Sequence, residues 1–147
     1  MSNVKDDIFK RTEGKLYSYN RLKAEINYLN LEIKKKENSY LECKSIGYSE
    51  KTSQTYNISS SVENEVLRKE KEIEKIRREI ESKEILIEKI DNVMSLLNEE
   101  ETVLVQHRYF SKKNNSWGYI ADSIGFSATR CKQMRIEIIN KVKDLLG

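Results

Sequence analysis

Between Val62 and Leu97 the chain repeats an apolar pattern every seven residues. Val66, Ile73, Ile80, Ile87 and Met94 occupy one seam position, and Ile76, Ile90 and Leu97 occupy the other, with Lys69 and Lys83 interrupting it. Glutamates at 70, 72, 74, 79, 81, 84 and 88 alternate with Lys and Arg. On a helix these form i,i+4 pairs that contribute a few tenths of a kcal/mol each. The pattern specifies a long helix with one narrow apolar stripe. Such a stripe is not stable against water, so it requires a second helix.

The nearest partner lies upstream. Ile8, Leu16, Tyr19, Leu22, Ile26, Leu29 and Ile33 recur at intervals of three, four or their sums, which predicts one helix from Ile8 to about Tyr40. Gly14 weakens that helix by about 1 kcal/mol relative to alanine and marks a place for a break. The two segments together predict a long antiparallel coiled-coil helical hairpin over residues 1–97. The same helix of a second subunit is the alternative partner. Residues 44–61, rich in Ser and Thr, read as a mobile connector. The chain contains no proline and only five glycines, and 35% of its residues are charged. That composition favours an all-α fold over a sandwich or barrel.

Residues 98–147 differ. Asn98 with Glu101 forms a capping-box pattern, predicting a helix from Glu99 to about Phe110. After the polar turn Ser111–Asn115 comes a stretch with the marks of a helix-turn-helix. Ile120, Ile124, Phe126, Cys131 and Met134 are spaced to pack two short helices across a corner, with the small Ala121 where they approach. Gly125 suits the left-handed residue that ends the first helix, and Ser127 suits the N-cap of the second. Ile138, Ile139, Val142, Leu145 and Leu146 continue that helix as an apolar tail, expected to pack on the helix from Glu99 and on Trp117. A small helix-turn-helix domain at 98–147 is therefore expected to follow the hairpin.

Charge and chemistry point the same way. Residues 101–147 carry eight Lys/Arg and four Asp/Glu, whereas residues 1–100 are nearly neutral, within an overall balance of +3. A capped basic helix braced by another fits the DNA major groove. Lys132 and Gln133 are the expected base readers. Arg130, Arg135, Lys112 and Lys113 are expected to hold phosphates, as is Ser116 at the start of its helix. Trp117 reads as core, His107 as packed or surface, and Tyr119 as either. No nucleophile–base set, metal cluster or phosphate loop is legible, so neither an enzyme nor a metal or cofactor is expected. Cys43 and Cys131 lie far apart, with Cys131 placed in the core, so a disulfide is not expected and a reducing cytoplasm fits. No apolar run approaches the ~20 residues that span a membrane.

The run from Leu97 to Leu146 resembles region 4 of sigma-70-type factors. Leu97 with Glu101, Val103-Leu104 and Arg108-Tyr109-Phe110 resemble its first half. Trp117 to Ile124, the Gly125-Phe126-Ser127 turn and Arg130 to Arg135 resemble its helix-turn-helix. By position the resemblance makes Ala128, Thr129, Lys132 and Gln133 the residues that would face promoter bases. Lys132 and Gln133 match the family's basic residue and glutamine, while Ala128 and Thr129 depart from its arginine and acidic residue. No counterpart of the promoter-melting region 2 is present, so a complete sigma factor is not implied. With its helical amino-terminal part, the segment Val62-Glu63-Asn64-Glu65-Val66 and the run Ile87–Asp91, the chain as a whole is similar to the small RinA/ArpU-type phage transcriptional regulators. That resemblance implies an activator of late or packaging genes in phages and prophages of low-GC Gram-positive bacteria.

The expected partners are double-stranded DNA, a second copy of the chain, and RNA polymerase. Whether the hairpin dimerises the protein or docks it on polymerase stays open. The alternative is a protein-interaction module that binds polymerase or a partner coiled coil without specific DNA recognition.

Overall fold

A computed structural model describes the backbone of residues 2–49 and 56–146. Six helices form it: α1 (Ser2–Tyr17), α2 (Tyr19–Ser49), α3 (Tyr56–Met94), α4 (Glu99–Arg108), α5 (Trp117–Ile124) and α6 (Ala128–Leu146). Among the described residues there is no strand, and none of these helices is long and apolar enough to cross a membrane. The chain divides into two compact units, one of residues 24–84 and one of residues 1–23 with 85–147.

The single helix expected from Ile8 to Tyr40 is two helices. Its break falls at Ser18 rather than at Gly14. The Ser18 hydroxyl donates to the Lys15 carbonyl at 2.7 Å, taking an acceptor that the helix ladder would otherwise use. Such local back-bonding by serine is a recurrent cause of bent helices. Downstream, helix covers much of the expected connector: α2 continues to Ser49 and α3 begins at Tyr56. Serine and threonine cost only tenths of a kcal/mol each in a helix, the connector has no proline, and its one glycine, Gly47, lies within α2. Positions 50–55, the remainder of that connector, lie outside the described residues.

In the unit of residues 24–84, α2 and α3 run antiparallel. Lys83 Nζ meets the Glu25 carboxylate at 2.9 Å, Lys36 meets Glu72 at 2.9 Å, and Lys69 donates to Ser39 Oγ at 2.8 Å. Partner positions fall along α3 as they rise along α2. Ile73 and Ile80 are buried in the seam. The two lysines that interrupt the heptad are largely covered and end on polar groups of α2, Lys69 on Ser39 and Lys83 on Glu25.

The other unit has one core. Leu16, Leu22, Ile90, Val93, Leu104, Val105, Tyr109, Ile120, Ala121, Cys131, Met134, Ile138, Ile139, Val142 and Leu146 are all buried in it. Of the apolar tail of α6, Ile138, Ile139, Val142 and Leu146 are buried as their spacing predicts, whereas Leu145 is exposed. Four of these core residues, Leu16, Leu22, Ile90 and Val93, precede the boundary at residue 98 that the sequence suggests. The packing of α1 along α6 brings Leu16 there, a long-range contact without a sequence signature. Cys131 is a free buried thiol, and burial pushes its pKa up, away from the thiolate that reacts.

Candidate nucleic-acid interface

Local capping chemistry positions the elements of the site. At the start of α4, Asn98 Oδ1 accepts from the Glu101 N–H at 2.8 Å, and Glu101 Oε1 accepts from the Asn98 N–H at 3.2 Å. Ser116 Oγ accepts from the Tyr119 N–H at 3.2 Å and caps α5. Gly125 ends α5 with φ of 87°, in the left-handed region where glycine is favoured. Two residues later Ser127 Oγ accepts from the Arg130 N–H at 3.1 Å and caps α6. Helix α5, the turn and α6 then pack through Ile120, Ala121, Cys131 and Met134.

Most of the expected site residues share the solvent side of this arrangement. Ser127, Thr129, Arg130, Lys132 and Gln133 are exposed, and Ala128 is half-buried against the core. No described residue engages the side chain of Lys132 or Gln133. Ser116 is exposed at the head of α5, close in sequence to the exposed Lys112 and Lys113. Arg130 is held by an exposed ion pair to Glu137 at 3.1 Å. That pair lines an open groove with Asn98, Glu100, Glu101, Phe126 and Met134. Carboxylates therefore border α6 on its Arg130 side, and Lys132 lies on the opposite edge.

Arg135 does not join them. Its Nε and Nη2 donate to the two carboxylate oxygens of Glu13 at 2.8 and 2.6 Å, and the Tyr109 hydroxyl donates to the same carboxylate at 2.6 Å. The guanidinium also lies 5.4 Å from the Phe9 ring centroid. The phosphate contact expected of Arg135 is replaced by a two-point ion pair that fastens α1 to α6. Burial opposes the charge on Glu13, but hydrogen bonds from Arg135 and Tyr109 outweigh it and hold the carboxyl below its ordinary pKa. Burial and the same carboxylate push the Tyr109 hydroxyl up. Nothing in the sequence spacing marks Glu13, since its partner lies 122 positions away.

The aromatic residues around α5 divide by packing. Trp117 is half-buried against the core, with the Arg108 guanidinium 4.6 Å from its ring centroid. His107 meets Tyr119 edge-on at 5.5 Å, and Tyr119 keeps about half its surface in solvent. On α6, Ile136 and Asn140 are also exposed, on the same side as Thr129 and Gln133. Helical spacing alone would have identified both, because 129, 133, 136 and 140 advance by four, three and four. Among the described residues no group of three or more His, Cys, Asp or Glu is placed to hold a metal ion. Comparison with protein-family models, curated proteins and solved structures finds no match to this chain.

Proposed function

We propose that the protein is a sequence-specific double-stranded-DNA-binding transcriptional regulator whose α5–turn–α6 segment acts as a helix-turn-helix. In this reading Lys132 and Gln133 contact bases in the major groove, while Ser116, Lys112, Lys113 and Arg130 hold the backbone. The particular protein we propose is a regulator of the RinA/ArpU type, an activator of phage or prophage genes in the bacterial cytoplasm, with a carboxy-terminal part like sigma-70 region 4. The observation that carries the reading is the solvent face of α6, where Thr129, Lys132 and Gln133 stand exposed just beyond a capped helix start.

One such helix covers less surface than specific DNA complexes bury, so two copies are expected on half-sites about one helical turn apart. The antiparallel α2–α3 pair would serve as a coiled-coil hairpin for that dimer or for docking on RNA polymerase. A mobility-shift assay on DNA upstream of the protein's own gene tests the reading. The Lys132→Ala/Gln133→Ala double variant is expected to lose at least about tenfold in affinity, since each good base contact contributes about 1–3 kcal/mol of discrimination. Undiminished affinity in that variant would remove both residues from the reading role.

A second reading is favoured by the groove of Asn98, Glu100, Glu101, Phe126, Arg130, Met134 and Glu137. Three glutamates against one arginine suit a basic protein segment, such as one on polymerase. Charge separates the two readings, because Glu100→Gln with Glu137→Gln should weaken docking of a basic segment and leave duplex binding undiminished.

A further inference from the structure

We propose that Ile136 is a specificity-determining residue that takes the 5-methyl group of a thymine, so that the base-reading edge of α6 extends at least one turn beyond Gln133. The inference rests on the DNA-reading proposal above and deepens it.

Helix α6 buries Cys131, Met134, Ile138, Ile139, Val142 and Leu146. Ile136 belongs to the opposite side, where 48% of its surface stays in solvent. Its companions on that side, Thr129, Gln133 and Asn140, are all polar and exposed. An isoleucine there is not one of the buried core residues, and its β-branch makes it a poorer helix former than the leucine, lysine or glutamine such a position would accept.

Geometry and charge narrow what it meets. From Thr129 to Ile136 the helix rises about 10 Å, close to three base-pair steps of about 3.4 Å. That length fits within a major groove about 12 Å wide. Ile136 stands alone among polar groups on its face, since the exposed Leu145 lies half a helical circle away. A lone side chain is far smaller than the contiguous apolar patches, several hundred Å² in extent, that mark protein docking sites. It matches a single methyl group. Lys132 on the adjacent edge suits a polyanion, and the other edge carries Glu137 and Asp144. In the major groove, thymine is the unmodified base that presents a methyl group to such a side chain.

The test starts from duplexes enriched by the full-length protein from a random-sequence pool. Each thymine of the enriched motif is replaced in turn by uracil, which removes only the methyl. At one position the wild-type protein is expected to lose about three- to fivefold in affinity, the effect of one methyl left unburied. Ile136→Ala should bind the thymine and uracil duplexes equally, and pools enriched on it should lose the thymine preference there. Helical circular dichroism and melting temperature close to wild type check that this exposed substitution leaves the fold intact. If a motif is enriched and depends on Lys132 and Gln133, but no uracil substitution weakens wild-type binding, the Ile136 inference fails and the DNA reading stands. A uracil penalty that persists in Ile136→Ala has the same meaning. If no motif is enriched at all, both readings fall.

Discussion

Glu13 joins three elements through one carboxylate, accepting from Arg135 on α6 and from Tyr109 just beyond α4. Its side chain is 13% exposed and that of Arg135 30%. At this degree of burial, removing one partner strands the others. Glu13→Ala is expected to destabilise the protein by about 3 kcal/mol, measured by urea unfolding. The pH dependence has a definite sign. The folded-state pKa of Glu13 lies below its ordinary 4.5, so its contribution is complete above about pH 4.5 and is lost as pH falls through the lower folded value. Glu13→Gln should therefore show a flatter acid limb than wild type in unfolding curves collected below pH 5. Equal slopes for the two proteins would show that the carboxylate charge is not what holds α1. At this scale sequence reasoning succeeds where the interaction is local. Asn98, Ser127 and Gly125 are legible because each partner stands within four residues, whereas Glu13 finds Arg135 only through the fold.

At the scale of elements, the turn between α5 and α6 is the joint on which the candidate interface depends. Nothing lies within 4 Å of a Cβ built on Gly125, so a side chain there meets no clash, only the strain of φ at 87°. Gly125→Ala is expected to cost about 1–2 kcal/mol, read as a lowered denaturant midpoint with an unchanged m-value. A neutral result would mean that the turn relaxes into another conformation. The heptad of α3 was visible in the chain, and so was the fact that Lys69 and Lys83 break it. That these lysines end on Ser39 and Glu25 was not, because the register between α2 and α3 depends on both helices at once. The break at Ser18 was likewise hidden. Periodicity continues across it, and a single hydroxyl turned back on its own helix makes the difference.

At the scale of the whole molecule, charge distribution bears on how the protein would meet a duplex. With Lys112, Lys113 and Arg130 on phosphates, a single bound copy neutralises about three charges. The slope of log K against log salt is then about −3 for one copy and doubles for two. Mobility-shift titrations over a range of potassium chloride read this slope directly. A slope near zero would remove these residues from phosphate contact and count against the DNA reading. Core composition carries a further expectation. A fragment beginning at residue 98 lacks Leu16, Leu22, Ile90 and Val93, four residues buried in the core of its own helices. Exposing that surface costs roughly 25 cal/mol for each Å² uncovered, so the fragment should melt less cooperatively than the full chain by circular dichroism. A sharp two-state transition at the full-length temperature would show that α1 is dispensable.

Helical class, the long α3, the caps of α4, α5 and α6, and the apolar face of α6 could all be read from the chain alone. Each depends on residues within one or two helical turns of each other, where spacing and side-chain chemistry decide the outcome. Tertiary structure decided that α1 lies along α6, that Arg135 is taken by Glu13 rather than left for phosphate, and that Lys83 ends on Glu25. Those outcomes depend on which surfaces remain when distant helices have packed, and burial is a property of the assembled molecule, not of any short segment of its sequence.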